Sequence, residues 1–136
     1  MFMLDLKNFQ YVEEYSWYTS QLKVNKFLVE IYVDNEEVQN LEILNDRLNS
    51  CISWVKKNYE MIQDYCAYKL FDDIWLENDE KVTKDEFKER LKLESIKIRA
   101  DGELNISFKG GNIFSDHWIV IDTDTKYNLL DAYLEG

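Results

Sequence analysis

The feature that most constrains this chain is a single apolar stripe in its first half. Leu41, Leu44, Leu48, Ile52, Val55, Tyr59, Ile62 and Cys66 follow one another at steps of three and four residues. That spacing places all eight side chains on one face of an α-helix, because residues three and four apart lie above one another along its axis. No Gly or Pro falls between residues 36 and 69. The pattern predicts one long helix over about residues 36–69, with Asp34 or Asn35 as its N-cap and Glu36 and Glu37 favoured by the helix dipole. The alternative is two helices meeting near Lys56-Lys57-Asn58; the unbroken stripe favours the first. A helix with one apolar stripe must bury it against something else, so the rest of the chain has to supply a matching surface.

That surface is a sheet. Phe27, Val29, Ile31 and Val33 alternate with Leu28, Glu30 and Tyr32, which predicts a strand over about residues 26–33, preceded by a bulge or turn at Asn25-Lys26. Residues 1–20 are aromatic without a clean period and predict a short strand or an irregular segment. Thr83 and Glu86 have the spacing of a capping box, and Val82 and Phe87 that of a hydrophobic staple, so a short helix is expected over about residues 84–91. Beyond Leu93 the period becomes two. Ile96 and Ile98, the Asp101-Gly102 turn, then Leu104, Ile106 and Phe108 form a hairpin signal. Further strands at residues 117–121 and 127–134 complete a meander of four. The expected fold is a single α+β domain over residues 1–136, an antiparallel sheet of five or six strands packed on the long helix and the short one.

Composition bounds the function. The 136 residues carry a net charge of −11, with 46% hydrophobic and 15% aromatic residues. Such a chain has the apolar content for one core and is unlike a disordered segment. A protein that grips DNA or RNA phosphates needs clustered Lys and Arg, so nucleic acid is not the expected partner. The longest apolar run, residues 27–33, contains Glu30 and is far short of a membrane span. Without a basic and then apolar N-terminal leader pattern, the expected location is cytoplasmic. Cys51 and Cys66 fit a reducing compartment: on one straight helix they lie about 22 Å apart, beyond disulfide reach, and read as small buried apolar residues.

The landmarks of the second half, Trp75, the acidic segment Glu77-Asn78-Asp79-Glu80, Thr83-x-x-Glu86-Phe87, the run Arg90-Leu91-Lys92-Leu93-Glu94-Ser95-Ile96, the Asp101-Gly102 turn, Phe114 before His117 and the closing acidic strand, resemble the bacterial domain-of-unknown-function family 2262. The resemblance is best over residues 70–136. It implies a bacterial α+β domain of no established activity. A Gly often precedes the His in such proteins, where this chain has Asp116. Suspected immunity proteins of toxin systems are an analogy at the level of fold and setting.

No local pattern carries chemistry. His117 is the single histidine, and with Cys51 and Cys66 it supplies three ligands where a structural zinc site takes four. Asp122-Thr123-Asp124 lacks the Gly and Glu that a calcium-binding loop requires. Lys109-Gly110-Gly111-Asn112 is followed by neither Lys-Ser/Thr nor a helix, so it is no phosphate cradle. Neither a cofactor nor a metal is expected. What remains is charge and aromaticity. Between Asp101 and Gly136 seven acids stand against two bases, a net of −5. Tyr15, Trp17, Tyr18, Tyr65, Tyr68, Trp75 and Tyr133 fall among acids, and exposed aromatics rimmed by acids are what an interface for a basic protein looks like. The candidate partner-binding residues are Trp75, Asp116, His117, Asp122, Asp124, Asp131, Tyr133 and Glu135. The expected function is a protein-binding module, such as an immunity-type inhibitor or adaptor for a basic toxin. The alternatives are a small hydrolase-like enzyme using His117 and nearby carboxylates, or a homodimer with no further activity.

Overall fold

A computed structural model describes residues 3–73, 82–110, 114 and 117–135. Among the described residues seven strands form one sheet: β1 (Gln10–Val12), β2 (Trp17–Val24), β3 (Phe27–Asp34), β4 (Lys92–Ile98), β5 (Leu104–Lys109), β6 (Trp118–Thr123) and β7 (Leu129–Glu135). They lie in chain order across the sheet. Every neighbouring pair is antiparallel except β3 and β4, which run parallel with Glu30 opposite Ser95 and Val33 opposite Ile98. A parallel pair cannot be closed by a tight turn and needs a long crossover. Here the crossover is the helical half of the chain, α1 (Leu41–Lys57), α2 (Tyr59–Leu70) and α3 (Lys84–Arg90).

The fold is α+β, and the four-strand C-terminal meander and the helix after Thr83 stand as expected. Three expectations, on the sheet, on the continuity of the first helix and on where that helix starts, need correction. The sheet has seven strands and is mixed, where five or six antiparallel strands were expected. The first twenty residues contribute β1 and the start of β2, whose inward positions Tyr18, Ser20, Leu22 and Val24 include a serine that interrupts the apolar phase. The expected helix over residues 36–69 is two helices with a break at Asn58. At Asn58 the backbone leaves helical geometry (φ −110°, ψ 19°), and the side-chain amide donates to the Trp54 carbonyl at 2.9 Å. An Asn side chain that bonds its own backbone competes with the helical ladder, which is why the apolar stripe passes through a bend. The first helix also starts later than expected. Asn40, not Asp34 or Asn35, caps it by accepting from the Ile43 amide at 3.1 Å, while Asp34 closes a turn by accepting from the Glu36 amide at 2.8 Å.

The core lies between the helices and one face of the sheet. Leu44, Leu48, Cys51, Ile52 and Val55 of α1, Ile62 and Cys66 of α2 and Phe87 of α3 meet Val29, Ile31, Val33, Ile96, Ile98, Ile106, Phe108, Ile119 and Ile121 of the strands. Side chains of this size gain roughly 1.5–3 kcal/mol each on burial, so this layer carries the stability of the domain. The N-terminal segment is tied to α1 by side-chain amides: Asn49 accepts from the Leu4 amide at 2.7 Å, and Asn45 accepts from the Leu6 amide at 2.8 Å. The hairpin between β2 and β3 turns at Asn25 with φ 54°, a left-handed position that Asn tolerates better than most residues. Between β4 and β5 Gly102 takes φ 90°, and its amide donates to the Arg99 carbonyl at 2.9 Å. Cys51 and Cys66 are both free and buried, in accord with the reading of them as apolar residues. No helix among the described residues is long and apolar enough to cross a membrane.

Candidate interaction face

The register decides what the other side of the sheet presents. Tyr32 pairs with Lys97, Lys97 with Asn105, Asn105 with Asp122, and these side chains point away from the helices. One level along, Ser95 pairs with Ser107, Ser107 with Val120, and Val120 with Tyr133. The next level holds Lys109, Trp118 and Glu135. Small side chains on the middle strands β4 and β5 are therefore flanked by large aromatics on β2 and β3 at one side and on β6 and β7 at the other. The result is a groove of about 430 Å³ with Ser95, Ser107, Asn105, Lys97 and Val120 below and Trp17, Tyr32, Trp118 and Tyr133 as its walls. Val120 is only 5% exposed although it lies on the face away from the described helices, in one lining with Trp118 and Tyr133.

The walls are held in place. Trp17 stacks on Tyr15 at 4.8 Å and meets Tyr32 at 4.9 Å. The Lys97 ammonium sits 5.2 Å from the centre of the Trp17 ring, and the Lys109 ammonium 4.7 Å from that of Trp118. Both are cation–π distances. The Tyr133 hydroxyl donates to Asp122 Oδ1 at 3.3 Å, and the same oxygen accepts from the Asn105 amide. Burial first, and then the negative charges of Asp122 and Glu135, raise the Tyr133 phenol above its ordinary value. Burial also raises Tyr32, with the charge of Glu30 adding to it.

The eight residues singled out from the sequence do not converge. Asp122, Tyr133 and Glu135 share the open face. Asp124 instead holds the turn before β7: its carboxylate accepts from the Lys126 amide at 2.8 Å, the Asn128 amide at 2.9 Å and the Asn128 side chain at 2.9 Å. These bonds hold its carboxyl below the usual range, the Asn128 side chain having the largest effect. Asp131 pairs with Lys69 of α2 at 3.3 Å. The His117 ring nitrogen Nδ1 lies 3.1 Å from the Phe114 carbonyl, a structural contact at the start of β6. Trp75 and Asp116 lie outside the described residues. Trp118, Tyr32, Lys97, Ser95, Ser107 and Asn105 were missed as a group. Their signal was present, since each occupies the polar phase of an alternating strand, and two of those phases carry an aromatic where water normally faces.

Among the described residues, no group of three or more His, Cys, Asp or Glu side chains is arranged to hold a metal ion. Elsewhere, acids gather where β4 turns into β5. The Asp101 carboxyl is held low, chiefly by a backbone bond with Glu103, while the hydrogen bond and charge of Asp101 push Glu103 up. A family model described as an uncharacterised protein conserved in bacteria, DUF2262, matches residues 3–134. No curated protein matches the chain, and no solved structure matches it.

Proposed function

Because the chain belongs to the bacterial DUF2262 family, whose members are described only as uncharacterised, its function must be read from its surface, and we propose that it is a protein-binding module for a basic partner, an inhibitor or adaptor of the immunity type. One observation carries this reading: the sheet has helices on one face, and its other face presents two Trp and two Tyr around an open groove. An antiparallel face left to water ordinarily alternates to polar residues. Large aromatics there are the side chains that most often anchor protein interfaces. The net charge of −11 supplies the second half of the reading, because opposite charge steers encounter and disfavours acidic competitors. In this mechanism the rings bury against the partner and the surrounding carboxylates accelerate association.

The test is an affinity capture from the native cell with wild type and a Trp118→Ala, Tyr133→Ala double variant side by side. The expected result is a basic protein retained by wild type, released as salt rises, and absent with the double variant. Identical captures by the two proteins, or a captured partner that is acidic, would refute the reading.

A further inference from the structure

We infer that the corner of the open face formed by Trp118, Tyr133 and Glu135 is a seat for the guanidinium of an arginine side chain on the partner. The inference rests on the proposed protein-binding function and names what that surface recognises. Trp118 lies opposite Glu135 and Val120 opposite Tyr133, so Trp118 and Tyr133 are diagonal neighbours on adjacent strands. Diagonal positions sit about 7–8 Å apart. Both rings line the groove beside Glu135, so a planar group laid against Trp118 there also has Tyr133 and Glu135 next to it. Val120 in the same lining is apolar and 5% exposed, so it offers a polar ligand nothing. The polar partner is at the mouth. Among the described residues the Glu135 side chain forms no ion pair and no hydrogen bond, although Asp131 on the same strand is paired with Lys69 and Asp122 Oδ1 accepts from both Asn105 and Tyr133.

Two features choose a guanidinium over other cations. A guanidinium is planar and stacks on aromatic faces such as that of Trp118, whereas an ammonium is compact and strongly hydrated. A carboxylate beside it can accept two parallel N–H bonds from the same fork. The protein itself shows that the Trp118 ring attracts cations, because the Lys109 ammonium already lies 4.7 Å from its centre. Lys109 is then an internal competitor for the ring, and its removal should strengthen binding of an external cation.

The probe is N-acetylarginine amide, with the neutral isostere N-acetylcitrulline amide as control. Binding is read from the indole N–H resonance of Trp118, assigned by its disappearance in Trp118→Phe. Arginine amide is expected to shift that resonance saturably, with the citrulline control about tenfold weaker because it lacks the charge. Glu135→Gln should weaken arginine binding about fivefold or more and leave the melting curve unchanged. Lys109→Met should strengthen it roughly two- to threefold, the modest size of a cation–π contact at an exposed site. Equal shifts by arginine and citrulline, no saturable shift by arginine, or full affinity in Glu135→Gln would each overturn the seat. The capture experiment separates this failure from the broader one. A partner lost with Trp118→Ala but kept with Glu135→Gln leaves a docking face without an arginine seat, whereas a partner kept with both variants removes the docking face as well.

Discussion

The two faces of the sheet are made by the same strands and differ in nearly every other respect. On β5 the inward residues Leu104, Ile106 and Phe108 are all at most 1% exposed, while Asn105 and Ser107, one residue away, face the open groove. On β6 Ile119 and Ile121 are fully buried between sheet and helices, and Trp118 and Val120 look outward. The inner face is aliphatic and closed. The outer face is aromatic and polar, with the Asp122 carboxylate bonded to Asn105 and Tyr133 and with Lys97 and Lys109 laid over indole rings. Folding explains the first selection completely, since burial of aliphatic area drives it. It does not explain the second, because an open face would be satisfied by Thr, Lys and Glu. Under the function proposed above the difference divides labour: one face holds the domain together and the other serves recognition.

The strongest way to break that division is to cut equally on both sides. Phe108→Ala empties a fully buried position that contacts the Tyr59 ring at 6.2 Å, and should cost about 3–5 kcal/mol in urea unfolding. A loss below about 1 kcal/mol would mean that the closed face is not where stability resides.

The next effect comes from pH. Burial pushes the Cys51 and Cys66 thiols up to about 12 from an ordinary 9.0, and the Tyr59 phenol up to about 12 from 10.0. A folded value above the unfolded one means stability that is intact below the unfolded value and is lost as pH rises toward the folded value. The unfolding free energy should therefore be level from neutrality to about pH 9 and fall steadily above it. The Cys51→Ala, Cys66→Ala double variant should show a shallower fall. The same burial keeps both thiols from reacting with a disulfide reagent at mildly alkaline pH while the protein is folded. Rapid modification of the native protein would contradict the closed packing of α1 and α2 against the sheet.

A smaller loss tests the supports of the open face. Asp122→Ala removes the acceptor shared by Asn105 and Tyr133, and should cost about 1–3 kcal/mol by leaving both donors without it. It should also loosen the Tyr133 ring, visible as averaging of its aromatic NMR signals. If Asp122→Ala is neutral and Tyr133 remains fixed, the groove is shaped by sheet twist alone and not by this network.

The inner face was the legible one. The stripe from Leu44 to Cys66, the alternation in β3 and the strands flanking the Asp101-Gly102 turn come from residues that are mostly buried, and burial leaves a period in the sequence, whereas Leu41 at the head of the stripe is 36% exposed. What the period could not supply was continuity of the backbone. Asn58 bends the helix through a side-chain bond to Trp54 that no apolar pattern reports. Nor could it supply pairing between distant segments. The parallel contact of β3 with β4 joins Glu30 to Ser95 across the whole helical half, and nothing local to either strand encodes it. The candidate site was legible only where it coincided with charge. Asp122, Tyr133 and Glu135 were identified from the acidic C-terminal stretch, and Asp124 and Asp131 came with them although each serves the fold through Asn128 and Lys69. Trp118, Tyr32 and Lys97 belong to three different strands, and only the register brings them to one groove.

The smallest expected change in stability is at Trp118, and it bears most directly on the division between faces. Its ring contacts Lys109 and shields Val120 but closes no part of the helix-facing core. Trp118→Ala should cost about 1 kcal/mol or less, the sum of an exposed cation–π contact and a little shielded area. The same substitution should abolish retention of the partner, since large losses at an interface concentrate in buried aromatic anchors. A cost as large as that of Phe108→Ala would show that the outer rings serve the fold, and their exposure would then need no partner to explain it. A small cost with binding lost would instead place the two functions on opposite sides of a single layer of backbone, where one-residue steps along β5 and β6 separate them.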